Sequence, residues 1–501
     1  MTDQRLTELN SRYSRARTKG NIKSQSSEFN IIKLIETLFW WAFLCLLAYS
    51  GFIQPVYASQ SWLQFSAILY SFSGLYLCYV LMGGSPNIQA FEAAKWSIIL
   101  LVLALFWLGI QIIWPFQVEA SSQFIFDLQL GAASEAERLQ IPAWFSPDLT
   151  WSLVPSETQS LLMSRLMCLI VFCLTLLLCD SRVRVRQVLI VILLVGLVHA
   201  FSGIFAKYMN LLLVERKQVD GHFSAARGWF INRNHFAAFI SLTMVTPIAF
   251  ILKKLMRDKS DSTFGLAKSI IFVPQVFFCL SLLVGIFAMV VSQSRAGFLA
   301  LPLAIALICV LNLSELKKVA GFHRALMVIT FVIVFVVVIF GQEMVSRLAN
   351  GFLSVGERGI QWAITWQAIK EQWFVGYGGG SYATVFQIIR EHAPLREVIY
   401  DQSHSYYLHL WLEQGLVGLL LWLSFVGLAF LTAYKALKNS TSTMLRSLQF
   451  ACIIVLISAL MQSFVDFNLQ ILNIRLYFFV IIALIYCGTN LRKRRHSSRP
   501  K

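Results

Sequence analysis

A chain of 501 residues that is 57% hydrophobic and only 13% charged, with a mean hydropathy of +0.67, is excluded from the water-soluble class. The formal charge of +17 could suggest nucleic acid, but Lys and Arg sit mainly in short stretches between apolar runs rather than on one soluble face, so the charge reads as membrane topology and no nucleic-acid partner is expected. Eight of the nine cysteines fall inside apolar runs and Cys179 ends one, so neither a disulfide framework nor a CxxC metal pair is expected.

The first thirty residues are polar and basic, and the apolar run that follows leads into a loop with no A-x-A cleavage site. No cleavable signal peptide is expected, and the N-terminus is expected to stay in the cytoplasm. Apolar runs then recur at 34–54, 62–82, 96–115, 159–179, 186–206, 235–253, 269–291, 296–313, 324–341, 416–436, 447–465 and 471–490. Each is long enough, at about 20 residues, to cross a hydrocarbon core of about 30 Å, and unpaired backbone amides are so costly in lipid that each must be a helix. The expected fold class is an all-α polytopic membrane protein of about twelve transmembrane helices. It divides into a basic tail (1–33), N-terminal membrane helices (34–206), a second membrane region (207–491) and a short basic tail (492–501), the last expected to be disordered and attracted to anionic lipid.

With the N-terminus inside, the basic stretches Arg182 to Arg186, Lys253 to Lys268, Lys317 to Arg324, Lys435 to Arg446 and Arg492 to Arg495 are all cytoplasmic. The three longest connections, 116–158, 207–234 and 342–415, then face outward. The first carries Trp144 and Trp151 and is read as packing or a lid. No 20 to 50 residue repeat and no second soluble domain is seen.

Ionisable groups at membrane depth are costly and are usually kept for a task, so chemistry is expected where polar residues gather at the outer helix ends. Three places qualify: Arg227 to His235, Ser292 to Gly297, and Arg347 to Glu413. In the last, Ile360, Ile364, Ala368 and Ile369 recur at helical spacing, which predicts an amphipathic helix along the membrane surface ending near Val375. Gly376, Gly378, Gly379 and Gly380 then allow a tight turn. The string is not read as a nucleotide loop, because it faces outward and follows a helix rather than opening a βαβ unit.

His392, Asp401, His404, His409 and Glu413 follow. Five positions on a regular helix separate His404 from His409 by about 140°, so a shared metal ion is not expected. His409 and Glu413 are four apart and can pair on one helix face.

His404-Ser405, nine residues, and then Gly415-Leu416-Val417-Gly418 resemble the motif of the O-antigen ligase and polymerase superfamily: His, then Asn, Ser or Gln, a nine-residue spacer, and G-x-x-G before a membrane helix. The stretch GWFINRNHFAAF from Gly228 to Phe239 and SRAG from Ser294 to Gly297 also look like signatures of that family, and the resemblance spans about Gly221 to Leu491. It implies a metal-independent, cofactor-free membrane glycosyltransferase of the GT-C kind, active on the periplasmic face of a bacterial inner membrane. The donor would be an undecaprenyl diphosphate-linked glycan, and the acceptor another glycan or lipid A core.

The chemistry suits the residues. An acceptor hydroxyl must lose its proton as it attacks the anomeric carbon, and a neutral imidazole, with an ordinary pKa of about 6.5, is suited to take it. His404 is the candidate base. A departing lipid diphosphate is best met by guanidinium forks, for which Arg233 and Arg295 are candidates and Arg358 a third, against interfacial snorkelling for Arg295 and an ion pair with Glu357 or another acid for Arg358. Asn232, Asn234, Ser405, Gly415 and Gly418 support the motifs, Asn234 with a helix-capping alternative. Tyr377, Tyr382, Tyr406 and Tyr407 can stack on sugar rings, although interfacial anchoring accounts for most of them. Asp466, Asn468 and Gln470 suit a simple outer turn, and Asp466 can also orient a base or an acceptor.

Two other readings stay open: a protein O-oligosaccharyltransferase, disfavoured because no large soluble domain follows the last helix, and a transporter or lipid flippase. The second is suggested by twelve helices with both termini inside, but transporters hold their polar groups near the midplane and repeat one half in the other.

Overall fold

The computed structural model describes residues 32–53, 60–84, 86–113, 152–209, 225–256, 274–311, 355–390, 400–440 and 442–497. Among these there is no strand. In chain order the helices are α1 (Ile32–Ser50), α2 (Gln60–Leu81), α3 (Ile88–Ala93), α4 (Lys95–Ile113), α5 (Pro155–Leu178), α6 (Arg182–Tyr208), α7 (Arg233–Thr243), α8 (Val245–Leu255), α9 (Pro274–Val291), α10 (Arg295–Leu311), α11 (Val355–Glu371), α12 (Tyr382–Ile389), α13 (Tyr406–Asn439), α14 (Thr443–Gln462) and α15 (Leu472–Ser497).

Ten spans among the described residues are long and apolar enough to cross a membrane, α7 and α8 counting as one, with Arg295–Ile308 a shorter apolar helix. The protein is an all-α, multi-pass membrane protein. Eleven of the twelve expected segments are thus helical, while the twelfth, 324–341, lies outside the described residues, as do most of the 116–158 loop and His392.

α15 is the axis of the bundle. Of its apolar window, 94% is buried, against 17% for α2, so α2 gives most of its surface to lipid while α15 packs on α5, α13 and α14. α14 packs on α8 and α10, and α13 on α4. The turn at Met244 between α7 and α8 follows from Pro247, whose ring cannot accommodate the carbonyl of Thr243 four residues earlier and which has no N–H to offer it. α10 crosses α7 closely, because Gly297 faces the methyl group of Ala237 with no room for a Cβ; this is why the SRAG stretch ends in glycine.

Two expectations are corrected at the C-terminus. The basic tail is not irregular: α15 continues to Ser497. The expected 416–436 segment is longer, running from Tyr406 to Asn439 with a break at Gly415, which has φ 64° and ψ −171°.

The backbone of residues 373–378 runs across that break. Leu416 N–H donates to the Trp373 carbonyl at 2.8 Å, Tyr377 N–H to Leu412 at 3.0 Å and Gly378 N–H to Glu413 at 2.9 Å. The glycine-rich loop therefore satisfies helix groups that the break leaves unpaired. A Cβ at Gly415 would collide with the Phe374 carbonyl, and φ there lies in the left-handed region. Gly415→Ala is expected to destabilise the protein by at least about 1–3 kcal/mol, read as a fall in the thermal unfolding midpoint in detergent, whereas Gly427→Ala, in open space on the same helix, should leave it unchanged.

Candidate functional site at one end of the bundle

α7, α10, α13 and α15 begin, and α9 and α14 end, on one side of the bundle, bound to one another by backbone contacts. Ala226 N–H donates to the Val291 carbonyl at 3.0 Å, and Tyr406 N–H to Ser463 at 2.9 Å and Asp466 at 3.2 Å. At their centre is the turn between α14 and α15, with a 3-10 stretch at Asn468–Gln470.

Asp466 in this turn is 0% exposed. Its Oδ2 accepts from Asn234 Nδ2 at 2.6 Å and its Oδ1 from the Phe467 amide at 2.9 Å. Oδ1 also lies 3.6 Å from His404 Nδ1 and 3.8 Å from His235 Nε2. At these lengths the last two are contacts rather than closed hydrogen bonds. Burial pushes the Asp466 carboxyl up, but the His404 contact, the His235 charge and the Phe467 amide outweigh it and hold the group down to about 2. It is a carboxylate at any physiological pH.

His404 has φ 50° and Gln293 φ 55°, the two non-glycine residues with positive φ among those described. Backbone of this kind is uncommon outside glycine and tends to gather at functional sites. His404 lies just before α13 rather than on it, which corrects the helical geometry used to separate it from His409; the side chains are kept apart instead by their partners. Nδ1 of His404 is buried against the carboxylate, while 32% of the side chain is exposed. Phe467 packs against both His404, at 5.4 Å between centroids, and His235, at 4.6 Å.

The turn is braced by two helices, α11 and α15. Arg358 Nη1 donates to the Val465 carbonyl at 3.3 Å, so Arg358 supports the turn that holds Asp466. Arg475, 1% exposed, donates through Nε to Leu469 O at 2.7 Å, through Nη1 to Ser164 Oγ at 3.0 Å, and through Nη2 to Gln470 O. α11 buries Gln361, Thr365, Ala368 and Ile369 on one face and donates from Trp362 Nε1 to the Ser403 carbonyl at 2.9 Å, fixing the approach to His404. This face differs from the expected apolar one, because Gln361 and Thr365 meet the Tyr382 hydroxyl, each at 3.1 Å.

A cavity of about 800 Å³ opens beside the turn, lined among others by Arg227, Arg233, His235, Asp401, Gln402 and Phe467. Asn232 caps α7, its Oδ1 accepting from Asn234 N–H at 2.8 Å; this capping sends Arg233 to the cavity and leaves the Asn234 side chain for Asp466. His404 is not among the lining residues and sits behind Phe467. Arg295 opens α10 next to the left-handed Gln293 and is not brought to the cavity wall. Ser405 precedes α13 without a side-chain cap, and Gly415 and Gly418 shape the break. The motif spacing thus describes a rigid segment, Tyr406 to Gln414, held between a left-handed His404 and the Gly415 break.

His409 and Glu413 pair at 2.9 Å on that segment. The residues the motifs pass over are His235, inside an already dense polar string, and Asp466. Asp466 had one signal available: it is the sole acidic residue after Glu413.

These features define a multi-pass α-helical membrane protein with a buried polar cluster at the ends of its helices. Residues 280–423 match the family model described as O-antigen ligase, a match that supports a likeness to the O-antigen ligase superfamily over that stretch. The matched stretch contains Arg295, Arg358, His404, Gly415 and Gly418, but ends before Asp466 and begins after Asn234, so the cluster straddles it. No curated protein matches the sequence. The match supports a membrane function of O-antigen ligase or polymerase type.

Proposed function

We propose that the protein moves a glycan from undecaprenyl diphosphate to a hydroxyl of a second glycan or of lipid A core, on the periplasmic face of a bacterial inner membrane, with both termini cytoplasmic. The observation that carries this reading is the buried Asp466 carboxylate 3.6 Å from His404, beside a cavity lined by Arg227 and Arg233. The acceptor oxygen bonds to the anomeric carbon, its proton passes to His404 Nε2, and the bond from that carbon to the diphosphate oxygen breaks, its electron pair leaving with undecaprenyl diphosphate. Asp466 holds His404 in the tautomer that presents a lone pair at Nε2. Arg233, on the cavity wall, meets the departing charge.

Arg233→Lys keeps the charge but loses the fork, and is expected to lower kcat/KM for donor about tenfold, measured on purified protein. The decisive experiment incubates that protein with undecaprenyl diphosphate-glycan and separate acceptors, namely a lipid-linked repeat, lipid A core and a Ser/Thr-containing protein, and resolves the products by mass. Product on the lipid-linked repeat or lipid A core supports the proposal. Product on protein alone makes it an O-oligosaccharyltransferase, and lipid scrambling in proteoliposomes without any product makes it a flippase.

A further inference from the structure

The cavity has a second wall that the departing diphosphate does not explain. Besides Arg227 and Arg233 it is lined by Glu157, Asp401, His409 and Glu413. Two of these are rigidly held: Glu413, 1% exposed, pairs with His409 at 2.9 Å and accepts from the Tyr382 amide at 3.3 Å, and Tyr382 stacks on the imidazole at 4.7 Å. Glu157 is placed by its neighbours, since Gly380 leaves no space for a Cβ against it and Thr158 Oγ1 donates to the Gly379 carbonyl.

Two polar atoms on this wall, His409 Nδ1 and Gln402 Oε1, are buried without a hydrogen-bond partner, and the His409 side chain is 4% exposed. Buried polar atoms are nearly always satisfied, so a ligand is the natural partner here. Three carboxylates in one wall repel a phosphate or a uronic acid. Among the described residues no group of His, Cys, Asp and Glu is arranged to hold a metal ion. What satisfies carboxylates, an imidazole nitrogen and an amide oxygen together is a set of hydroxyls, each both donor and acceptor, or an ammonium among them.

We infer that Glu157, Asp401, Gln402 and the His409–Glu413 pair form the acceptor subsite, and that it selects a reacting sugar that is neutral or amino-substituted over one that is phosphorylated or carboxylated. The inference rests on the transferase reading above. In the charge pattern, the diphosphate of the donor belongs to the arginines and the acceptor sugar to the carboxylates, so the two substrates sort themselves within one cavity.

The test uses full-length protein in nanodiscs, with undecaprenyl diphosphate-glycan as donor and lipid-linked oligosaccharides ending in a hexose, a hexosamine or a hexose phosphate as acceptors. Glu157→Gln and Asp401→Asn, both at exposed positions, are expected to raise acceptor KM about tenfold each with donor KM retained, and to narrow the preference of the unaltered protein against the phosphorylated acceptor. An unchanged acceptor KM in both variants, or equal use of hexose and hexose phosphate by the unaltered protein, overturns the inference while leaving transfer intact. Absence of transfer to any acceptor overturns the transferase reading, and this inference with it.

Discussion

Replacing His404 by alanine is expected to lower glycan transfer about 10²- to 10⁴-fold, the range a positioned general base contributes, while the protein still inserts and binds a fluorescent lipid diphosphate. The loss should appear in kcat, because the ring is needed when the acceptor proton moves and not when the donor docks. The left-handed backbone at this position makes alanine an impure test, since alanine is itself strained there. Asparagine visits that region far more readily, so His404→Asn should match the alanine variant in activity and exceed it in thermal stability. Full activity in either variant removes His404 from the base role.

Asp466→Asn is expected to lower kcat about 10- to 100-fold with donor KM held, since it deletes a charged partner of His404 while keeping the shape of the turn. Its stability should also change with pH in a defined direction. The folded carboxyl is held at about 2, below its ordinary 3.8, so its contribution is fully present above the ordinary value and is lost as pH falls through about 2. The unaltered protein should therefore lose thermal stability across that acidic window by a component that Asp466→Asn lacks. A kcat unaffected by the substitution would leave Asp466 as a turn residue alone.

Much of the fold was legible, because lipid forces every backbone group into a helix and a helix of that length needs an unmistakable apolar run. The positions of His404, Gly415 and Gly418 were legible as a spacing, and the His409–Glu413 pair as a four-residue step. What the spacing means was not legible: Gly415 read only as part of a motif, and it is where a helix breaks to admit the 373–378 strip. Asp466 was legible as a turn residue, but its bond to Asn234 spans 232 positions, and no periodicity reaches that far. Arg358 was legible only through a family-like pattern beside Glu357 and Trp362, and the group it meets, the Val465 carbonyl, lies 107 positions away.

The burial of Asp466 also bears on how the chain is assembled. The carboxylate sits between the last two membrane helices, and its partners Asn234 and His235 belong to α7, threaded into the bilayer much earlier in synthesis. Until the α14–α15 hairpin arrives, α7 presents an amide and an imidazole with nothing to bind; once it arrives, the acid finds its neighbours only by docking on α7. A nascent chain halted before that hairpin has His404 but no carboxylate behind it, so the contact between them forms only once the α14–α15 hairpin has docked.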